Sequence, residues 1–315
     1  MQNPQVSSIR HVELAVPDLK AATDFYSVVW GLRPVASDAP GQLLRAAGGE
    51  HHILRLVEGP TAQLRGAGFA APDAATVHAL HARAASFGVK IRSAPHQLPA
   101  GLGGGFGFVL ETPDGLPLTI SSDMQPVAGN LELSGVPHKL AHVVINSADV
   151  DSQFSFFCDT LGFKLSDSNG RLEFIRCNAD HHSVALARAT GMSLNHMAFE
   201  LPDIENLMQA SGRVKLRGHE LDWGVGRHGP GNNVFSYFVD PMGFVAEFTT
   251  EVQQIDEASH VPQDAEYWST AVIRPCRWGM AMSPSPRARK AMAGDYQNQL
   301  LTQASCDELI ARKLS

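Results

Sequence analysis

One stretch of this chain is written twice, and that limits its fold more than any other feature. His11-Val12-Glu13-Leu14-Ala15-Val16-Pro17-Asp18, then Phe25-Tyr26 and Gly31-Leu32, realigns about 130 residues further on. There it reads His142-Val143-Val144-Ile145-Asn146-Ser147-Ala148-Asp149, then Phe156-Phe157 and Gly162-Phe163. Three further anchors keep step. His51-His52-Ile53-Leu54-Arg55-Leu56 answers to His181-His182-Ser183-Val184-Ala185-Leu186, Pro72-Asp73 to Pro202-Asp203, and Thr112-Pro113-Asp114-Gly115 to Asp240-Pro241-Met242-Gly243. Nearly constant spacing across four anchors predicts two modules of about 120 residues each. Each copy opens with a strand, then a helix whose aromatic pair faces the core, then a stop at glycine. Met124 to Pro137 is rich in Gly, Pro and small residues and marks a connection. The expected division is 1–124 for the N-terminal module, 125–138 for the linker, 139–252 for the C-terminal module and 253–315 for an extension outside the repeat.

Composition excludes several classes of function. A net charge of −7 leaves no basic stripe for neutralising phosphates, so no nucleic-acid partner is expected. The first residues lack the basic and apolar regions of a signal peptide, and no apolar stretch approaches the length of a membrane span. A cytoplasmic protein with no membrane partner is the expectation. Cys158, Cys177, Cys276 and Cys306 are scattered without a CxxC pair, which makes reduced thiols the default.

Three potential metal ligands lie inside short apolar runs of the second copy: Leu140-Ala141-His142-Val143-Val144-Ile145, Asn195-His196-Met197-Ala198-Phe199 and Phe244-Val245-Ala246-Glu247-Phe248. Such runs read as strands with a buried face, where an ionisable group is costly unless paired, hydrogen-bonded or metal-bound. Two imidazoles and one carboxylate form the facial triad that leaves positions on Fe(II) open for substrate and oxygen. A single histidine in an apolar strand is more readily explained as a core imidazole, and the repeat separates the two explanations. Carried back to the first copy, His142, His196 and Glu247 fall on His11, Gly66 and Thr119. The first module is therefore expected to bind no metal. The persistence of His11, and of His51-His52 opposite His181-His182, argues that some of these histidines serve the fold.

Further residues gather around the triad. Asp240-Pro241-Met242-Gly243 fits a type I turn, and a left-handed Gly243 would give a three-residue hairpin loop with a bulge. Pairing then runs from Asp240–Phe244 to Tyr237–Glu247 and sets Tyr237 across from Glu247 on the same face. Strand alternation groups His182 with the inward Val184 and Leu186, and His181 with Ser183 and Ala185. His228 belongs to the glycine-rich stretch Gly224 to Gly231, where a loop can bring a polar side chain over a pocket. Gly224, Gly226 and Gly229 do not connect a strand to a helix, so a dinucleotide loop is rejected. His219-Glu220 reads as a polar loop pair.

With these residues the chain resembles the type I extradiol ring-cleavage dioxygenases of the vicinal oxygen chelate superfamily, the catechol 2,3-dioxygenases and 2,3-dihydroxybiphenyl 1,2-dioxygenases. The resemblance covers roughly residues 8 to 250. It is most specific in Gly226-Arg227-His228, Tyr237-Phe238-Val239-Asp240-Pro241-Met242-Gly243 and Glu247. Ser236 departs from the motif, which usually has an apolar residue before the Tyr. The resemblance implies an α+β fold of two tandem modules, each of paired βαβββ units curled around a cavity. It implies Fe(II), less readily Mn(II), on His142, His196 and Glu247. Catalytic roles fall to His182, Tyr237 and His228, with His228 and Tyr237 also binding substrate. The reaction would be O2-dependent extradiol cleavage of a small aromatic diol to a semialdehyde or keto acid, within a homo-oligomer.

Two other functions compete. A glyoxalase-like isomerase or lyase of the same superfamily would not need Tyr237, His182 and His228 together. A bleomycin-resistance-type binding protein acts without metal and leaves the buried His196 and Glu247 unexplained. In the extension, Trp268 and Arg277-Trp278-Gly279 are candidates to close against the second module. Gln297 to Leu314 has amphipathic helical character that would suit packing on the body or on another subunit.

Overall fold

The computed structural model describes residues 4–270 and 275–296. The predicted amphipathic stretch from Gln297 to Leu314 lies outside these residues. The first copy of the repeat runs through β1 (Ser8–Val16), α1 (Leu19–Asp24), β2 (Arg33–Val35), β3 (Gln42–Arg45), β4 (Leu54–Glu58), β5 (Gln63–Ala70), α2 (Ala74–Ser86), β6 (Ile91–Gln97), β7 (Phe106–Glu111) and β8 (Pro117–Ser122). The second runs through β9 (Lys139–Ser147), α3 (Val150–Ser155), β10 (Lys164–Ser168), β11 (Leu172–Arg176), β12 (Val184–Arg188), β13 (Ser193–Glu200), α4 (Ile204–Leu216), β14 (Trp223–Arg227), β15 (Val234–Val239) and β16 (Val245–Thr250). Each copy is two βαβββ units merged into one eight-stranded sheet. The orders β2-β3-β4-β1-β5-β8-β7-β6 and β10-β11-β12-β9-β13-β16-β15-β14 are the same topology twice. This is the α+β architecture of paired βαβββ units expected above.

The repeated Asp signals have a local cause. Asp18, Asp73, Asp149 and Asp203 each precede a helix and accept a hydrogen bond from the backbone N–H three residues on, at 2.7–3.0 Å. An N-cap of this kind stabilises its helix by about 0.5–2 kcal/mol. Gly31 and Gly162, at φ 95° and 80°, turn the chain out of the first helix of each copy in a conformation that disfavours a Cβ.

Register fixes the correspondence between copies. His142 pairs with Ala198, and Ala198 pairs with Glu247. His11 pairs with Gly68, and Gly68 with Thr119. Thr119 therefore occupies the slot of Glu247, and Gly66, two residues before Gly68, that of His196.

The two copies share one apolar core. Trp30, just beyond α1, stacks on Phe248 of β16 with centroids 3.7 Å apart and meets Phe199 and Phe238 edge-on. Tyr26 donates a 2.6 Å hydrogen bond to Asp240, and Arg213 of α4 donates to the carbonyls of Val29 and Trp30. In return, Phe157 and Phe163 of the second copy pack on Phe69 of β5. The connecting segment is tied down as well, with the Ala47 N–H bonded to the Pro137 carbonyl and Gly135 N–H to the Asn206 side chain.

After β16 the chain crosses back over the second sheet. Gln254 and Gln263 bridge to Asp180 and Asp167. Helix α5 (Ala265–Thr270) carries the half-buried Trp268. Arg277 N–H bonds to the Arg227 carbonyl, and the Arg227 guanidinium lies 5.0 Å over the Trp278 ring. Helix α6 (Pro286–Met292) buries Ala288 and Ala291 with Phe235, Tyr237, Val239 and Val245, and its Met292 carbonyl accepts from Asn146. Among the described residues no helix is long and apolar enough to cross a membrane.

Candidate metal centre

Three adjacent strands bring His142, His196 and Glu247 together: β9, β13 and β16. All three residues are buried. The Nε2 atoms of His142 and His196 lie 3.3 and 3.4 Å from the same Glu247 oxygen, Oε2, and the three ligand atoms fall within 4.8 Å of one another. Around a divalent ion with bonds of about 2.1 Å at right angles, ligand atoms lie about 3 Å apart. The donor set and its spacing fit such an ion. Glu247 Oε2 is also buried without a hydrogen-bond partner among the described residues, an arrangement that is costly without a cation.

The surroundings fix these three side chains. His196 Nδ1 lies 2.8 Å from Asn195 Oδ1, an acceptor, so the proton sits on Nδ1 and Nε2 is free to ligate. Asn195 is in turn held by Asn146. The other Glu247 oxygen, Oε1, accepts from Asn233, which also donates to Thr249. Burial alone would raise the Glu247 carboxyl, but the two imidazoles facing it at 3.3 and 3.4 Å hold it well below the usual carboxylate range. Burial pushes the His196 imidazole down, against the pull of Glu247.

Tyr237 lies directly opposite Glu247 in the β15–β16 ladder. The turn that puts it there has Gly243 at φ 91°, Gly243 N–H bonded to the Asp240 carbonyl and Asp240 N–H bonded to Phe244. Asp240 itself is buried and accepts from Tyr26, Met242 and Phe244, so it serves the turn and the contact between copies. Tyr237 shares a 2.9 Å hydrogen bond with His228 Nε2, which lies 4.0 Å from Glu247 Oε1. Burial and the Glu247 charge raise the Tyr237 phenol well above its usual range, which keeps it protonated. Burial lowers His228 to about 4, so its imidazole is neutral near pH 7.

His182 completes the group. Its ring lies against that of His142, with centroids 4.1 Å apart, and edge-on to Phe174. Burial and the neighbouring imidazoles hold it well below the ordinary histidine range. Beside it, Val144, Phe174, Ala185 and Ala187 form a separate apolar cluster. The chain thus gathers His142, His196, Glu247, His182, His228 and Tyr237. Ser236, the departure from the motif, faces away and shares a 2.8 Å hydrogen bond with Ser211 of α4. His219 is also elsewhere, edge-on to Phe25.

Sequence reasoning missed Asn195, Asn146, Asn233, Asp167 and the part played by His181. His181 is fully buried and bonds both His182 and Asp167. The one available signal was its place in the repeated His-His pair.

A family model for the Glyoxalase/Bleomycin resistance protein/Dioxygenase superfamily matches residues 8–120 and 139–248. Among curated proteins, Metapyrocatechase 2 of Cupriavidus necator is 31% identical over 123 residues, 38% of this chain and 38% of that protein. An iron-dependent extradiol dioxygenase of Rhodococcus jostii (strain RHA1) is 29% identical over 149 residues, 42% of this chain and 48% of its own length. Both alignments span less than half of those relatives. Among solved structures, a Mn(II)-bound glyoxalase from Novosphingobium aromaticivorans is 36% identical, with a TM-score of 0.82 over 90% of this chain and 94% of the other.

Proposed function

The chain belongs to the Glyoxalase/Bleomycin resistance protein/Dioxygenase superfamily, and on that footing we propose that it cleaves a catecholic ring beside its diol, using O2 and an Fe(II) held by His142, His196 and Glu247. Both oxygen atoms enter the product, so catechol itself would become a muconic semialdehyde with no other reductant consumed. The observation that carries this reading is the His228–Tyr237 pair, hydrogen-bonded at 2.9 Å beside Glu247. A metal triad alone would serve hydrolysis, isomerisation or oxygenation. A protonated phenol and a neutral imidazole next to it suit a substrate that presents one ionised and one protonated oxygen.

Fe(II), when bound, supplies the one-electron chemistry that lets O2 react with a closed-shell ring. The side chains supply geometry and protons. Tyr237, kept protonated, donates to the ionised diol oxygen. Neutral His228, whose 2.9 Å bond to Tyr237 opens as the diol enters between them, accepts from the second hydroxyl and orients it. His182, on the side of His142, accepts a proton at one step and returns it at another, work suited to an imidazole held neutral. Val144, Phe174, Ala185 and Ala187 offer the ring an apolar wall that excludes water.

A second reading, a Mn(II)-dependent isomerase of glyoxalase type, is supported by the 36%-identical neighbour. It leaves the Tyr237–His228 pair without a task. The two separate in one experiment. Protein purified anaerobically is loaded with Fe(II) or Mn(II), then given catechol, 2,3-dihydroxybiphenyl or the methylglyoxal–glutathione adduct. Oxygen uptake with a yellow product on either catechol is expected. Iron-loaded protein that consumes no oxygen with either catechol sinks the first reading, and turnover of the adduct supports the second.

A further inference from the structure

We propose that Asp167 and His181 are positioning residues, the inner links of a buried hydrogen-bond chain Asp167–His181–His182 that dictates which nitrogen His182 turns to chemistry. The proposal deepens the reading of His182 given above and rests on it.

The chain follows from donor and acceptor counting. His181 Nε2 lies 3.0 Å from Asp167 Oδ2. A carboxylate only accepts, so the His181 proton is on Nε2 and its Nδ1 carries a lone pair. That Nδ1 is 3.0 Å from His182 Nδ1. His182 must then donate from Nδ1, which leaves Nε2 as its basic nitrogen.

Asp167 cannot turn to relax the arrangement. Its other oxygen, Oδ1, accepts the Gln263 N–H at 2.7 Å, and the Ser168 N–H bonds back to the Gln263 carbonyl. The His181 N–H is bound by the Gln253 carbonyl. Both anchors belong to the segment after β16, so this part of the extension clamps the chain. Gly231, at φ 79°, closes over it. A Cβ there would come within 3.2 Å of His182 and 3.3 Å of His181.

The other half of the molecule supplies the control. His51 and His52 repeat the pair, Nδ1 to Nδ1 at 3.1 Å and rings at 88°, as in His181 and His182. Leu43 pairs with Arg55 where Phe174 pairs with Ala185, and across from Leu43 stands Val35 where Asp167 stands across from Phe174. The paired histidines belong to the fold. Among the described residues the carboxylate behind them stands in the second copy, where His182 lies against His142, and Val35 takes its place in the first.

Asp167→Asn makes a sharp test because it preserves shape. An amide has one oxygen, and the Gln263 N–H claims it. The NH2 then faces His181 Nε2 and donates, which reverses every bond in the chain and moves the His182 proton to Nε2. The tautomers are read by 15N–1H NMR on the full chain, histidine-labelled and loaded with diamagnetic Zn(II). Protons on His181 Nε2 and His182 Nδ1 are expected in the parent protein, and on His181 Nδ1 and His182 Nε2 in D167N. A parent protein with the proton on His182 Nε2, or a D167N protein that keeps it on Nδ1, overturns the proposal. In parallel, D167N should lower kcat on catechol by about 10–100-fold with KM and metal content little changed, and should cost nothing further in a His182→Ala background. An equal loss in both backgrounds also overturns it. If the tautomers reverse as described while no form consumes a catechol, the dioxygenase reading fails and the positioning role stands.

Discussion

The two concave faces have the same backbone and opposite chemistry. At one register position the first sheet pairs Glu13 with Arg55, and the second pairs Val144 with Ala185. Glu13 and Arg55 form a 2.9 Å ion pair beside His11, next to a cavity of about 340 Å3 that Gly66, Thr119 and Arg92 also line. Val144 and Ala185 instead join Phe174 and Ala187 in an apolar wall beside His182. On both faces burial pushes imidazoles down, His11 to about 4 and His52 to about 2 in the first copy, His228 to about 4 in the second. Buried imidazoles are thus a property of the architecture. What distinguishes the second copy is a buried carboxylate, a phenol across from it and an apolar surface beside them.

The contrast can be broken most directly at the matched ligand slots. Glu247→Ala should abolish metal retention and all turnover, measured by metal analysis after desalting, while Thr119→Ala should leave both unchanged. Metal retained by the first variant breaks the contrast. Next in size is the seam between copies. Trp30→Ala removes the stack on Phe248 and should cost about 3–5 kcal/mol in chemical denaturation, with both copies unfolding in one transition. Two separate transitions in the parent protein would show the copies to be energetically independent. Tyr237→Phe keeps the ring and removes the hydroxyl. We expect kcat on catechol to fall about 100-fold with metal content intact, and an unchanged kcat would remove Tyr237 from the chemistry.

The smallest effect concerns pH. His52 has a folded pKa below its unfolded one, so the unfolded chain takes up the proton first. Stability from this group is full above pH 6.5 and declines as pH falls from there towards 2. His52→Asn should remove up to about 2 kcal/mol of the loss between pH 7 and pH 5. An unchanged slope would mean that His52 is not held neutral.

Much of this organisation is legible in sequence because period and turn chemistry are local. The four Asp caps, the Gly stops and the bulged turn at Gly243 each act over three or four residues, and the turn alone sets Tyr237 opposite Glu247. Asp167 was illegible for a converse reason. It follows a register shift between Leu165 and Asp167 on an edge strand, so alternation loses the face it points to. Its partner Gln263 is also remote in sequence. Helix α6 escaped for want of pattern, since its buried face is only Ala288 and Ala291. His181 was grouped away from the site by alternation, yet the segment after β16 covers that side and buries it.

The aromatic seam has a consequence for descent. Trp30 of one copy covers Phe248 of the other, and Phe157 and Phe163 cover Phe69 in exchange. A copy with Gly66 and Thr119 in place of His196 and Glu247 would by itself be free to erode or vanish. Here its removal would uncover Phe199, Phe238 and Phe248 on the back of the very sheet that carries Glu247. Mutual packing would then act as a ratchet, holding the first copy in place whatever its chemistry, because its loss would expose the apolar back of the second sheet.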